Sequence, residues 1–202
     1  MFVKMNTRLK NILESFTADE ITDNFISLLN AYDADIIAHD GCEFGVSHYD
    51  GDLINNDIKY FVPNQKISEI EFYRKTFIII GQATHSGSLY AMYKAANTKN
   101  TNEYPVLVLG DEGGVLTLAK DLQNFMRFLT FNQQPYIGIH QQPYFFDFAQ
   151  EETENNDAYR TFVKEKFNID SLVDQNSIMT FVVKPAQDQY QKIIDNYFEN
   201  YS

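Results

Sequence analysis

The clearest pattern in this chain is a series of short apolar runs near its middle, separated by glycine-rich or polar turns. Phe77–Ile80 is a continuous apolar run that ends at Gly81, which is typical of a strand buried on both faces. Leu89–Tyr93 alternates well enough to predict a second strand beside the first. Val106–Leu109 follows Pro105, which can start a strand without removing a hydrogen bond from its interior. The runs therefore predict an antiparallel meander.

Turn residues separate these strands, and a helix follows them. Residues 85–88 and 110–114 are turns by composition, since both are rich in glycine and small polar residues. Val115–Leu118 can pair back across the second turn as a fourth strand. Asp121 is then placed to cap a helix, and apolar residues recur with i, i+3, i+4 and i+7 spacing as far as Leu129. We expect this helix to lay one apolar stripe on the sheet.

Further elements are predicted on both sides of this unit. The segment Thr17–Glu20 has the sequence of a capping box, which predicts a helix that starts there and ends near Asp33. Residues 57–62 alternate and predict another strand. Apolar residues recur with helical spacing up to Phe167, and Pro185 is a favourable first residue for a final helix.

Together these elements predict an α+β protein with a mostly antiparallel sheet, helices packed on it, and extra helices at the C-terminus. We identify no internal repeat, no low-complexity linker and no sharp change in composition. A length of 202 residues and a hydrophobic content of 44% suit one domain with a substantial core. We therefore predict a single domain at 1–202, with its core at about 17–131 and a C-terminal elaboration at 132–202.

The succession from Phe77 to Phe131 resembles the SUKH superfamily, which includes yeast cell-wall synthesis regulators and many bacterial toxin-immunity proteins. In that family an apolar strand ends in glycine, a glycine-containing turn leads to a short aromatic strand, a Pro-Val strand follows, and a capped helix carrying phenylalanine closes the unit. The matching residues are Gly81, Gly87, Tyr90, Pro105, Val106, Asp121 and Phe125. Two features depart from the family pattern: Ser88 stands where many relatives have an acidic residue, and about seventy residues follow Phe131. The resemblance implies a SUKH-like fold and a protein that binds another protein.

The chain is strongly acidic, with 16 Lys and Arg against 28 Asp and Glu and a formal net charge of −12. Nucleic acids and anionic membranes are held mainly through Lys and Arg, so we expect neither as a partner. A basic protein surface is the natural complement of this charge. Acidic composition also serves solubility without any partner, so the charge alone leaves both explanations open.

Cysteine usage and the start of the chain bear on location. Cys42 is the only cysteine, so neither an intramolecular disulfide nor a thiolate-rich zinc site can form. The first residues lack the apolar core and cleavage site of a signal peptide, and no apolar run is long enough to span a bilayer. We therefore expect a cytoplasmic protein.

The sequence offers little for catalysis. The histidines are His39, His48, His85 and His140, and none has the spacing of a metal site. A carboxylate at Asp40 can orient His39, and His85 stands beside Ser86 as a base beside a nucleophile. However, no Gly-x-Ser-x-Gly elbow surrounds Ser86, and neighbours in an extended segment point apart. We predict no catalytic residue, no metal and no cofactor, with a small hydrolase using His39 or His85 as an alternative.

The resemblance favours a non-enzymatic immunity protein that neutralises a cognate toxin, such as a nuclease with a basic surface, in the bacterial cytoplasm. A regulatory scaffold of the cell-wall regulator type is the other alternative. Acidic and aromatic residues in predicted loops are the expected partner contacts, because acids speed the encounter with a basic surface and aromatics anchor it. These residues are Asp40, Glu43, Tyr49, Asp50, Asp52, Asp111 and Glu112.

Overall fold

A computed structural model describes residues 7–36, 43–44, 67–138, 142–145 and 154–198, and the strand predicted at 57–62 lies outside them. Five of the helices within these residues are α1 Thr7–Glu14, α2 Asp23–Asp33, α3 Ile67–Thr76, α4 Leu122–Leu129 and α5 Glu154–Phe167. The strands are β1 Glu43–Phe44, β2 Phe77–Gln82, β3 Leu89–Tyr93, β4 Val106–Leu109, β5 Val115–Ala119, β6 Tyr136–Ile137 and β7 Pro143–Tyr144.

The first five strands form one antiparallel sheet in the order β1-β2-β3-β4-β5. In this sheet Tyr90 lies opposite Val108, and Val108 lies opposite Leu116. The two residues of β1 extend the sheet beyond β2, with Phe44 opposite Gly81. The predicted α+β class and the four-strand meander are therefore confirmed.

Both faces of the sheet are buried, because its side chains alternate into two separate apolar cores. On β3, Tyr90 and Met92 enter the larger core, whereas Ala91 and Tyr93 enter the smaller one. Residues of α1, α2, α4 and α5 contribute to the larger core, and Tyr73 of α3 lies in the smaller one. The continuous apolar runs of the sequence are explained by this double burial.

The start of α4, the helix after β5, matches its prediction, whereas the start of α2 does not. Asp121 caps α4, since its Oδ1 accepts a hydrogen bond from the amide of Asn124 at 2.7 Å. The predicted start of the front helix at Thr17 is wrong, because α2 begins at Asp23 and Thr22 is its N-cap. The Glu20 carboxylate does reach back to the Thr17 amide at 2.8 Å, but it closes a separate turn before the helix.

The last described helix, α6, is continuous from Gln175 to Phe198. Its consecutive segments are Gln175–Ile178, the π-helical Met179–Val183, Lys184–Ala186, the π-helical Gln187–Gln191, and Lys192–Phe198. Pro185 therefore lies inside this helix and does not open it, so that prediction is wrong; the N-cap is Asp174. Proline removes a backbone donor from a helix interior, and the wider π-helical turns lie on both sides of it.

Glu20 ties the turn before α2 to the end of the sheet where β3 finishes and β4 begins. Lys94 and the hydroxyl of Tyr104 each donate a hydrogen bond of 2.8 Å to its carboxylate, whose side chain is only 16% exposed. Burial would raise the pKa of Glu20, but the hydrogen bonds from Lys94, the Thr17 amide and Tyr104 outweigh it and lower this pKa to about 2. The ionised carboxylate is therefore part of the folded structure.

We predict that Glu20→Gln lowers the free energy of unfolding by about 2 kcal/mol near neutral pH. The folded-state pKa of about 2 lies below the ordinary value of 4.5, so unfolding takes up protons between these values. The stabilisation from Glu20 is complete above about pH 5 and is lost as the pH falls toward 2. Urea unfolding at pH 7 and pH 3 measures it, and the difference between wild type and variant should shrink at pH 3.

Glu71→Gln is the matched control, because Glu71 pairs with Lys75 on the exposed surface of α3. Exposed pairs of this kind contribute little, so this variant should unfold almost like the wild type at both pH values. Equal losses in the two variants, or a Glu20 effect that is independent of pH, would contradict the role assigned to Glu20.

Candidate functional site

Three loops meet at the end of the sheet that lies opposite Glu20. They are residues 83–88 between β2 and β3, residues 110–114 between β4 and β5, and the β6–β7 hairpin. The Gln134 side chain, just before the hairpin, contacts the first loop, and Ile137 lies against the second, since a Cβ added at Gly110 would come within 3.1 Å of its Cδ1. We define the turn-end surface as four exposed residues of these loops and one half-buried tyrosine. The exposed residues are His85, Ser86, Glu112 and Tyr144, and the half-buried one is Tyr136.

Ser88 and Asp111 lock the first two loops together. The Ser88 hydroxyl donates to Asp111 Oδ1 at 2.6 Å, and the backbone amide of Asp111 donates to Ser88 Oγ at 3.2 Å. Gly87 has a φ of +118°, which glycine adopts without strain, and it lies next to this pair. The Asp111 carboxylate is therefore half-buried and hydrogen-bonded within the protein, so its first role is to hold the loops.

Gln134 fixes the hairpin to the first loop. Its side chain is only 5% exposed, and its Oε1 accepts a hydrogen bond from the backbone amide of His85 at 2.8 Å. The same oxygen accepts one from the hydroxyl of Tyr136 at 2.7 Å. One buried amide therefore sets the position of both a turn and an aromatic side chain.

The hairpin presents two stacked tyrosines. Tyr136 and Tyr144 lie opposite each other in the β6–β7 pair, and their ring centroids are 5.5 Å apart with planes inclined by 26°. Tyr144 is 40% exposed. Tyrosine side chains in this state offer a large apolar face and a hydroxyl to a partner, and such faces attract Arg and Lys.

The structure brings part of the predicted contact set to this end of the sheet. Glu112 is exposed in the second loop, beside the half-buried Asp111. Glu43 lies at the same end, because its Cα is paired with that of Gln82, where β2 ends. The remaining predicted contacts, Asp40, Tyr49, Asp50 and Asp52, lie outside the described residues.

His85 and Ser86 form the turn that the sequence predicted. Both residues are exposed, and the Ser86 hydroxyl lies 2.9 Å from that of Thr84. The Asp111 carboxylate, which stands in the neighbouring loop, is engaged with Ser88. The hydrogen bonds of Ser86 and Asp111 thus serve the loops, while His39, the other histidine of the hydrolase alternative, lies outside the described residues.

Two further properties concern only the part of the chain that the structure describes. It contains no group of three or more His, Cys, Asp or Glu side chains placed to hold a metal ion. None of its helices is long and apolar enough to cross a membrane. Cys42, His48 and His140 are not among these residues.

Gln134, Tyr136 and the pairing of Tyr136 with Tyr144 are not among the residues predicted from the sequence. A signal was available, because Gln-Gln-Pro-Tyr occurs at residues 133–136 and again at 141–144. The two copies flank Gly138, and their tyrosines lie opposite each other in the β6–β7 pair. The prediction of no internal repeat overlooks this short duplication.

No protein-family description, curated protein or solved structure matches this chain. The resemblance to the SUKH superfamily therefore stays a prediction.

We predict that Gln134→Ala frees the hairpin from the first loop and lowers the free energy of unfolding by about 1 to 2 kcal/mol, because it leaves two donors without their shared acceptor. Amide hydrogen exchange at His85 should become faster, whereas exchange in β3 and β4 should change only as global stability does. Urea unfolding and exchange measured by NMR test both parts.

Gln133→Ala is the control, since it removes the same side chain one residue earlier. It should leave the exchange of the His85 amide unchanged. Unaltered exchange of the His85 amide in Gln134→Ala would contradict the proposal that Gln134 fixes the hairpin to the first loop.

Proposed function

We propose that this chain is a non-enzymatic protein-binding domain of the SUKH type, which neutralises a cognate toxin in the bacterial cytoplasm through its turn-end surface. The observation that carries the proposal is the placement of an exposed carboxylate, Glu112, and an exposed stacked tyrosine, Tyr144, on loops that are tied to one another. A basic surface on the toxin, such as that of a nuclease, is the complementary partner.

The charge of the chain supports a basic partner. A formal net charge of −12 creates a negative field that accelerates diffusional encounter with a positive surface, and salt weakens this steering. Glu112 contributes to this field at the binding surface itself, since it is exposed and its neighbour Asp111 is half-buried. Acidic side chains set the rate of association in this proposal.

The tyrosines supply the short-range contacts. Tyr and Arg are enriched among the residues that dominate binding energy, and an Arg side chain can stack on a tyrosine ring while it pairs with a carboxylate. Tyr144 is accessible for such a contact, and the ring of Tyr136 stacks against its ring. Aromatic side chains set the lifetime of the complex in this proposal.

Preorganisation supports the same surface. The Ser88–Asp111 and Gln134–His85 hydrogen bonds hold the loops before any partner arrives. Ordering of loops on binding opposes association, so a surface that is already ordered binds more tightly for the same contacts.

Affinity capture from the source cell, at low and then moderate salt, tests the function itself. The proposal predicts that the protein retains a toxin domain with a basic surface and that the purified protein inhibits the activity of that toxin. Capture of no basic toxin at low salt, from cells that express the neighbouring genes, would contradict it.

We predict that Glu112→Lys weakens binding to the captured partner by about tenfold or more, mainly through slower association at low salt. Tyr144→Ala should weaken it by a similar factor through faster dissociation. Surface-plasmon or interferometry kinetics at two salt concentrations separate these two effects.

Asp19→Lys is the matched charge reversal, because Asp19 is exposed in the turn of Glu20 at the other end of the sheet. It should alter association much less than Glu112→Lys. Equal effects of the two charge reversals would mean that net charge alone drives binding, and they would contradict a specific turn-end surface.

A further inference from the structure

Strand β5 has the composition of an edge strand that can pair with a strand of another molecule. Among the described strands it has a neighbour on one side only, β4. Its sequence, Val-Leu-Thr-Leu-Ala, contains no charge and no proline, which are two common features that prevent strand pairing between molecules. A bulge at Leu118 interrupts its pairing with β4 near one end, because Val106 pairs with Ala119 and Leu107 with Thr117. The middle of the strand needs another form of protection.

The side chain of Gln191 occupies this edge. Its Nε2 donates a hydrogen bond to the carbonyl oxygen of Val115 at 2.8 Å, and its Oε1 accepts one from the amide of Thr117 at 2.7 Å. In a strand, the C=O of one residue and the N–H of the second residue after it point to the same side. The carboxamide therefore satisfies two backbone groups that a further strand would otherwise satisfy.

The helix that carries Gln191 is anchored on both sides of it. Tyr190 and Ile194 are buried in the smaller core under the sheet. Asp195 Oδ1 accepts a hydrogen bond from Gln191 Nε2 at 2.8 Å, which orients the carboxamide toward β5. Gln191 is also the last residue of the second π-helical segment of α6. The contact is thus built from several independent restraints.

We propose that Gln191 is an edge cap that prevents β5 from pairing with β5 of a second copy of this chain. A second copy is the expected partner, because the uncharged edge of β5 can pair with the same edge of another molecule. Two copies related by a twofold axis can align their β5 strands antiparallel. Without the carboxamide, Val115 and Thr117 each retain an unsatisfied backbone group under α6. Pairing with a second copy satisfies both groups once this part of the helix lifts away.

Gln191→Leu in the full chain tests the proposal, with Gln189→Leu as its control because Gln189 is exposed on the same helix. Two quantities are measured for both variants and the wild type: hydrogen exchange of the Thr117 amide, and mass by light scattering over a hundredfold range of concentration. We expect Gln191→Leu to exchange Thr117 at least tenfold faster and to shift toward twice the wild-type mass as concentration rises. Gln189→Leu should match the wild type in both.

Unchanged exchange at Thr117 would overturn the proposal, and so would faster exchange without an increase in mass. The same behaviour in Gln189→Leu would overturn it as well. If Gln191→Leu does not fold, Asp195→Ala provides the test, because it removes the group that orients the carboxamide and leaves Gln191 in place. That variant should show the same two changes to a smaller extent, and wild-type values for both would overturn the proposal.

Discussion

Burial of the sheet on both faces is the constraint on which the rest of this structure depends. Strand residues alternate into two cores, so neither face of the sheet is available to a ligand. Helices must therefore cover both faces. This explains why the chain continues well past α4: the end of α6 covers the smaller core, which the meander and its own helix cannot close. Within the described residues, it also confines recognition to the ends of the sheet and the outer faces of the helices.

The two ends of the sheet differ in chemistry. At one end the carboxylate of Glu20 accepts hydrogen bonds from Lys94, Tyr104 and the backbone of Thr17. These partners keep it ionised although it is largely buried. At the other end the buried polar groups, Ser88 and Gln134, hold loops together and leave Glu112 and Tyr144 turned outward. An acid that is satisfied internally stabilises the fold, whereas an exposed one beside an exposed aromatic is suited to a partner. This contrast is why we propose that the partner binds at the turn end.

Local sequence patterns predicted the elements that depend on neighbouring residues. They failed for the element bounds and contacts that residues distant in sequence determine. The meander, its turns and the Asp121 cap follow from short apolar runs and from the preferences of glycine and aspartate. The start of α2 was misplaced because its N-cap, Thr22, is bound by Thr101 and Asn102 from far along the chain, whereas Glu20 only closes the turn before the helix. Pro185 was expected to begin a helix, yet α6, which packs along β5, is continuous through it. Contacts such as Gln134 with His85 and Gln191 with β5 join residues with no shared sequence pattern, so only the folded chain displays them.

The proposed function requires that a basic protein partner bind at the turn end of the sheet. Hydrogen–deuterium exchange of the chain, free and in complex with the partner recovered from its cell, locates the residues that the partner covers. We expect protection on binding to be concentrated in residues 83–88, 110–114 and 134–138, with little change in the turn that contains Glu20. Protection centred on that turn or on α6, with the three turn-end loops unchanged, would contradict it.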